Sequence, residues 1–227
     1  MKVRIAVATT DHRHGIASVA AKALGVRVEP ESPRVQCILD AGYTFVALAE
    51  GRIAGFVSNF NTRDEKGHSR FELDLLGVAP AWQGRGIGAD LVERSMQAAR
   101  DSKATTLRAL VRCDNMPMQR ICRRCGLQRF QSACQLLVSR SKGSARDCSR
   151  EIRARIIAVD TLTYSGYWLE GELSQCAIDA ARQLLQAQPG RAQMGTVVPL
   201  SDRATIDLLR ANSFEVIGDF DWWTLNL

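Results

Sequence analysis

Long apolar runs are missing from this chain of 227 residues. None approaches the roughly 18 to 20 residues that a membrane-spanning helix needs. The opening fifteen residues hold only a short apolar stretch, broken by Arg4 and followed by His12 and His14, which is unlike a secretory leader. The seven cysteines are odd in number and irregularly spaced. That argues against a disulfide framework and for a reducing, cytoplasmic setting. Cys122 and Cys125 form a C-x-x-C pair, but no second pair or nearby histidine completes a zinc set, so no metal is expected. RNP motifs, zinc-finger spacing and a basic helix are also lacking, so neither nucleic acid nor membrane is an expected partner.

What is present is an ordinary globular mixture, 46% hydrophobic and 24% charged. The net charge of +6 is unevenly placed. Residues 1–150 carry 24 basic and 14 acidic side chains, whereas residues 151–227 carry 6 and 10. A basic unit suits an anionic ligand, and the asymmetry suggests units with different jobs. The small, polar stretch 141–150 is the one linker-like segment. It divides the chain into residues 1–140, a linker at 141–150, and residues 151–227. Before the linker, apolar alternation and turn residues predict strands at 3–9, 44–49, 53–60, 71–78, 106–112 and 130–138. Helical spacing predicts helices at 16–24, 87–100 and 115–125, with Gly25 and Gly126 as stops. The fold class is therefore mixed α/β (α+β), built around a sheet.

The informative segment is GVAPAWQGRGIGADLVERSM, residues 77–96. It sets Gln83, Gly84, Arg85, Gly86, Ile87, Gly88 and Ala89 between a strand end and a helix start. A helix N-terminus carries unpaired N–H groups and partial positive charge, so it receives phosphate, and glycines let backbone approach it closely. The bland alternative is a tight strand-to-helix turn. The pattern of Gln83, Gly86 and Gly88 after Val78-Ala79-Pro80 resembles the acetyl-CoA signature of the GNAT superfamily of N-acetyltransferases. A second signature of that superfamily is resembled by residues 115–127, NMPMQRICRRCGL. A dinucleotide fold would need Gly-x-Gly-x-x-Gly by the first strand with an acidic residue roughly 20 further on, and it is absent.

This resemblance covers residues 1 to about 140 and implies the GNAT fold, with acetyl-CoA as cosubstrate. It implies that amides from Gln83 to Ala89 bind pyrophosphate and that the Leu76, Gly77 and Val78 backbone pairs with pantetheine. Asn115 would contact the cofactor arm. Where a tyrosine commonly protonates the departing thiolate, this chain has Cys122, which either donates a proton or packs as a small hydrophobe. Attack on a thioester needs a neutral amine, hence a base. Glu72 and Asp74 share one strand face. Asp74 stands where several superfamily members carry the acidic base, and Glu72 is the reserve candidate. His12, His14 and His68 fall in loops. Arg120, Arg123, Arg124 and Arg129 read either as a solvated helix face or as phosphate contacts.

The tail repeats the latter part of the first unit. Residues 202–214 align without gaps to 115–127, and 194–199 to 107–112, both at an offset of 87 positions. Further back an offset of 82 places Ser165, Trp168 and Glu170 opposite Gln83, Gly86 and Gly88. Residues 157–159 then read as the strand before the turn. The tail is thus expected to be a degenerate half-GNAT unit that binds no coenzyme. Trp222 and Trp223 suggest that it packs on the first domain. The expected activity is acetyl transfer from acetyl-CoA to a primary amine of a small molecule or peptide, in a ternary complex, by a monomer or homodimer. The alternative is a catalytically impaired acyl-CoA-binding protein with a regulatory or structural role.

Overall fold

The computed structural model describes residues 3–141, 143, 145 and 151–227. Most of the 141–150 linker lies outside the described residues, as does the side chain of Gln131. A single ten-stranded sheet runs through the molecule in the order β1-β2-β3-β4-β5-β10-β6-β9-β8-β7. Its first strands are β1 (Val3–Val7), β2 (Phe45–Ala49), β3 (Arg52–Arg63), β4 (Ser69–Val78) and β5 (Thr106–Arg112). They are followed in sequence by β6 (Gln128–Ser139), β7 (Ala154–Asp160), β8 (Ser165–Gly171), β9 (Gln193–Pro199) and β10 (Glu215–Asn226).

Helices α1 (Arg13–Val19), continued by a π-helical turn to Leu24, and α2 (Pro33–Asp40) precede β2. Helix α3 (Ile87–Asp101) joins β4 to β5 as a parallel crossover. Helix α4 (Met116–Arg124) joins β5 to β6, and α5 (Gln175–Ala187) and α6 (Arg203–Ala211) do the same work in the second unit. Gly25 ends the first helical segment in the left-handed conformation at φ 69°, which glycine adopts without Cβ strain. Helix α2, which the sequence reading did not place, buries Val35, Ile38 and Leu39 at helical spacing. It is started by Ser32, whose hydroxyl accepts from the Val35 N–H, and by Pro33 at its first position.

The offset of 87 holds through three consecutive elements. β5, α4 and β6 recur with identical lengths as β9, α6 and β10. The caps match as well: Asn115 and Asp202 each accept from the N–H three residues on, at nearly the same backbone angles. The offset of 82 fails. Ser165, Trp168 and Glu170 lie within β8, which pairs in parallel with β9 as β4 does with β5. They occupy no helix-entry turn. Residues 157–159 belong to β7, antiparallel to β8, so the strand before the turn is β8. In the second unit only residues 172–174 separate β8 from α5, with Ser174 as the cap. In the first unit the corresponding connection runs from residue 79 to 86. Cys37, Cys113, Cys122, Cys125 and Cys134 are free thiols, whereas Cys176 is disulfide-bonded.

The sheet order shows how the units are joined. β10, the last strand of the second unit, lies between β5 and β6 of the first, pairing antiparallel with both. β6 in turn lies against β9. Each unit completes its sheet with a strand from the other. Trp223, at 2% exposure, sits in the first unit's core with Phe71, Leu107 and Leu127, and the Arg123 guanidinium lies 5.2 Å from its ring centre. A second core forms around Leu137, Ile178, Met194 and Leu209.

Because Trp223 locks β10 into the first core, Trp223→Ala should cost about 3–5 kcal/mol of unfolding free energy, measured by chemical denaturation. Loss should appear as a lower midpoint of one cooperative transition, not as melting of the second unit alone. Trp223→Phe should cost less, since it also removes a buried indole N–H that has no hydrogen-bond partner.

Candidate active site

The sheet opens where β4 and β5 part. Their parallel pairing runs from Arg70 opposite Thr106 to Leu73 opposite Ala109 and stops there. At that point β4 carries a bulge: Leu73 pairs with Asn59 and Leu75 with Ser58, leaving Asp74 unpaired between them. The extra residue bends the strand and re-aims side chains. Leu75 packs with the α1 side of the sheet, whereas Leu76 turns to the α3 side. The result is a cleft of about 820 Å³ floored by Leu73 to Val78 and by Ala109 to Arg112.

One end of the cleft is the α3 entry. Gly84 and Gly86 have φ of 74° and 84°, values that side-chain-bearing residues rarely adopt, and open space lies where a Cβ would project. Gly86 caps α3 without a side-chain acceptor. Among the described residues, the N–H groups of Gly84, Gly86, Ile87 and Gly88 donate to no protein acceptor. Four unpaired donors at a helix N-terminus form a concave anion site. Gln83 braces the turn by donating to the Val78 carbonyl at 2.9 Å. Arg85 lies 4.9 Å from the Trp82 ring centre. Gly88 is small for a packing reason: a Cβ there would meet the Ile121 Cδ1 of α4 at 2.7 Å. Arg120 and Arg124 border the same cleft.

Towards the middle, Asn115 borders the cleft while its Oδ1 caps α4, accepting from Met118 N–H at 3.1 Å. Phe220, from β10, closes the wall beside Arg112. The sequence carried no signal for Phe220, because its contribution depends on the strand exchange.

Asp74 lies at the parting of the strands, against the cleft. Burial away from water pushes its carboxyl up to about 7. The hydrogen bond from the Ser58 hydroxyl partly offsets that rise, and the Glu72 charge adds to it. Ser58 Oγ donates to Asp74 Oδ2 at 3.1 Å. Among the described residues, no arginine or lysine pairs with Asp74. Glu72 shares its face but not its surroundings. It is bonded by Arg108 at 2.7 Å, by Arg70 at 3.5 Å and by the Thr62 hydroxyl, and it does not reach the cleft. Cys122 is fully buried beside Leu91 and Ala89, and burial pushes its thiol up to about 12. It too is kept from the cleft.

The second unit repeats the parting with opposite electrostatics. β8 and β9 separate after Leu169 opposite Thr196, so Glu170 follows the split as Asp74 does in the first unit. Burial raises Glu170, but Arg108 and Arg70 outweigh it and hold the carboxyl below the usual carboxylate range. Distances are 2.6 Å to Arg108 and 2.9 Å to Arg70, with Arg155 at 3.4 Å. Those contacts cross from β8 to β4 and β5, strands that are not neighbours of β8 in the sheet order.

The sequence model described as Acetyltransferase (GNAT) family matches residues 13–127. The chain belongs to the GNAT acetyltransferase family. A putative acetyltransferase from Pyrococcus horikoshii shares the fold at a TM-score of 0.65 and 14% identity, covering 99% of this chain and 89% of its own. A tandem GNAT protein from the clavulanic acid biosynthesis pathway does so at 0.60 and 13%, covering 99% and 98%. The ribosomal-protein-alanine N-acetyltransferase of Brucella melitensis matches 58% of this chain and 88% of its own at 0.52 and 23%. No curated protein sequence matches. At these identities the likeness concerns fold alone, and two of these neighbours follow the GNAT fold through the second unit as well as the first. The protein is thus an acyltransferase of the GNAT class with a second, partial GNAT-like unit. Among the described residues no helix is long and apolar enough to cross a membrane.

Asp74 gives a pH-dependent stability with a definite sign. Its folded pKa lies above the ordinary 3.8, so between those values the folded chain holds a proton that the unfolded chain has lost. Stability therefore falls as pH rises through that window. Asp74→Asn should be more stable than the parent by on the order of a few kcal/mol at pH 8, and no more stable at pH 3, as read from denaturation midpoints.

Proposed function

We propose that this GNAT protein transfers the acetyl group of acetyl-CoA to a primary amine by direct attack within a ternary complex. The observation that carries this reading is the bulged Asp74, an unpaired carboxyl poised near neutrality where the parted strands open towards the glycine cradle. A carboxyl with a pKa near the working pH can take a proton from an ammonium and release it again. Acetyl-CoA supplies a thioester carbonyl carbon as the electrophile.

The residues present fit that cosubstrate. The N–H groups of Gly84, Gly86, Ile87 and Gly88 would receive the pyrophosphate, with Gln83 and Arg85 shaping the turn and Ala89 in the first turn behind them. The β4 edge at Leu76, Gly77 and Val78, unpaired on the β5 side, would hydrogen-bond the pantetheine amides. Asn115 would reach the cofactor arm. Asp74 would accept the amine's proton, directly or through water. With Cys122 in the core, its thiol would not reach the departing thiolate, and water in the open cleft would be the donor. Glu72, held by Arg108 and Arg70, serves to fix the sheet face behind Asp74.

Titration with acetyl-CoA, followed by CoA release across a panel of primary amines, tests this reading. The parent should bind acetyl-CoA and release CoA only with an amine present. Gly86→Glu sends a side chain and a like charge into the phosphate end, so it should bind at least 100-fold more weakly while melting as a folded protein. Binding without turnover on any amine would favour the alternative, a coenzyme-binding protein with a regulatory or structural role. No binding at all would overturn both.

A further inference from the structure

We propose that Ser58 of β3 is a positioning residue for Asp74, brought to it by the bulge in β4 and able to grip its carboxyl in both protonation states. The inference rests on the reading of Asp74 as base, and it gives the two carboxyl oxygens different jobs.

The bulge makes the contact. In a regular ladder one residue of β4 would stand opposite Ser58. Here Ser58 pairs with Leu75 and Asn59 with Leu73, so Asp74 is the extra residue beside that pair. A bulge sets two residues of one strand against one of its partner. The Ser58 hydroxyl thus meets Asp74 as well as Leu75, with Oγ donating to Oδ2 at 3.1 Å. Ser58 is 1% exposed and lies outside the cleft lining, whereas Asp74 belongs to it. One carboxyl oxygen is therefore held from within the sheet. Oδ1 is then the oxygen that takes the amine's proton.

A hydroxyl suits this task because it is a neutral donor. When Asp74 is ionised, Oδ2 is a carboxylate oxygen and accepts strongly. With the proton on Oδ1, Oδ2 is a carbonyl oxygen and still accepts, so the orientation outlasts each proton transfer. A guanidinium would bring a positive charge and keep the carboxyl ionised, as Arg108 and Arg70 do at Glu170.

The surroundings leave that grip to Ser58. On β4 itself, Glu72 is the charge that acts on Asp74. Strand β5 carries Arg108, which is held by Glu72 and Glu170, and Arg112, which is held by Asp114 at 3.0 Å. The helical segment over the cleft presents Ala23 and Leu24, and β10 presents Phe220. Because the bond is stronger to the charged form, its loss should raise the pH at which Asp74 ionises.

The test is NMR titration of the full-length chain labelled with ¹³C in aspartate carboxyls, with the Asp74 resonance assigned by its loss in Asp74→Asn. The parent midpoint should lie near 7. Ser58→Ala removes the donor and should raise it by on the order of one pH unit. Ser58→Cys, close in size but a weaker donor, should fall between the two, an order that packing alone does not produce. In amine acetylation, Ser58→Ala should lower kcat at neutral pH and recover it at higher pH, with acetyl-CoA affinity unchanged. A folded Ser58→Ala with the parent's midpoint, or a lower one, overturns the proposal, and Ser58→Cys decides in the same way should Ser58→Ala not fold. A parent midpoint at the ordinary 3.8 would instead remove the base reading itself.

Discussion

Everything in this molecule depends on where β10 lies. By pairing with β5 on one side and β6 on the other, it makes one sheet of two units that would otherwise each end on an open edge. Open edges are aggregation-prone, so neither half is a self-sufficient body. The same placement brings Trp223 into the first core and Phe220 to the cleft wall. In the same sheet Glu170 of β8 meets Arg70 and Arg108, and Leu162 enters the core beneath α1 and α2.

The two strand partings place carboxylates in opposite electrostatic surroundings. Each follows the last parallel pair of its unit, and each places a carboxylate there. Asp74 meets the Ser58 hydroxyl and stays near neutrality. Glu170 meets three arginines and is held charged. Breaking such a buried set by removing one partner costs more than the set contributes as a whole, which suits a fixed contact between units. A proton carrier needs the reverse, an environment in which both protonation states are tolerated. As the proposed base, Asp74 would cost stability for that reason.

The cleft was legible in the sequence wherever its signals were local. Gly84 and Gly86 announce left-handed backbone, and the strand ending at Val78 with Pro80 beyond it announces the turn. Asp74 could be placed by counting along its strand. Its unusual environment could not, because the bulge is defined by pairing with Ser58 and Asn59. Cys122 looked the same in sequence whether it faced cleft or core. Only the packing of α4 on α3 decides between them. The repeat was readable through β9, α6 and β10, where spacing was preserved. It was misread upstream, because the shortened connection at residues 172–174 shifts the register between α5 and α3. The exchange of β6 and β10 left no trace in either strand's own pattern, since a strand's alternation does not name its neighbour.

The account's central claim is that one coenzyme site exists, in the first unit, at the parting of β4 and β5. A crystal structure of the full chain with acetyl-CoA tests it most directly. The account predicts pyrophosphate on the N–H groups of Gly84 to Gly88, pantetheine along β4, and the acetyl group within reach of Asp74 directly or through one water. Coenzyme seated between β8 and β9, beside Trp168 and Glu170, would contradict it.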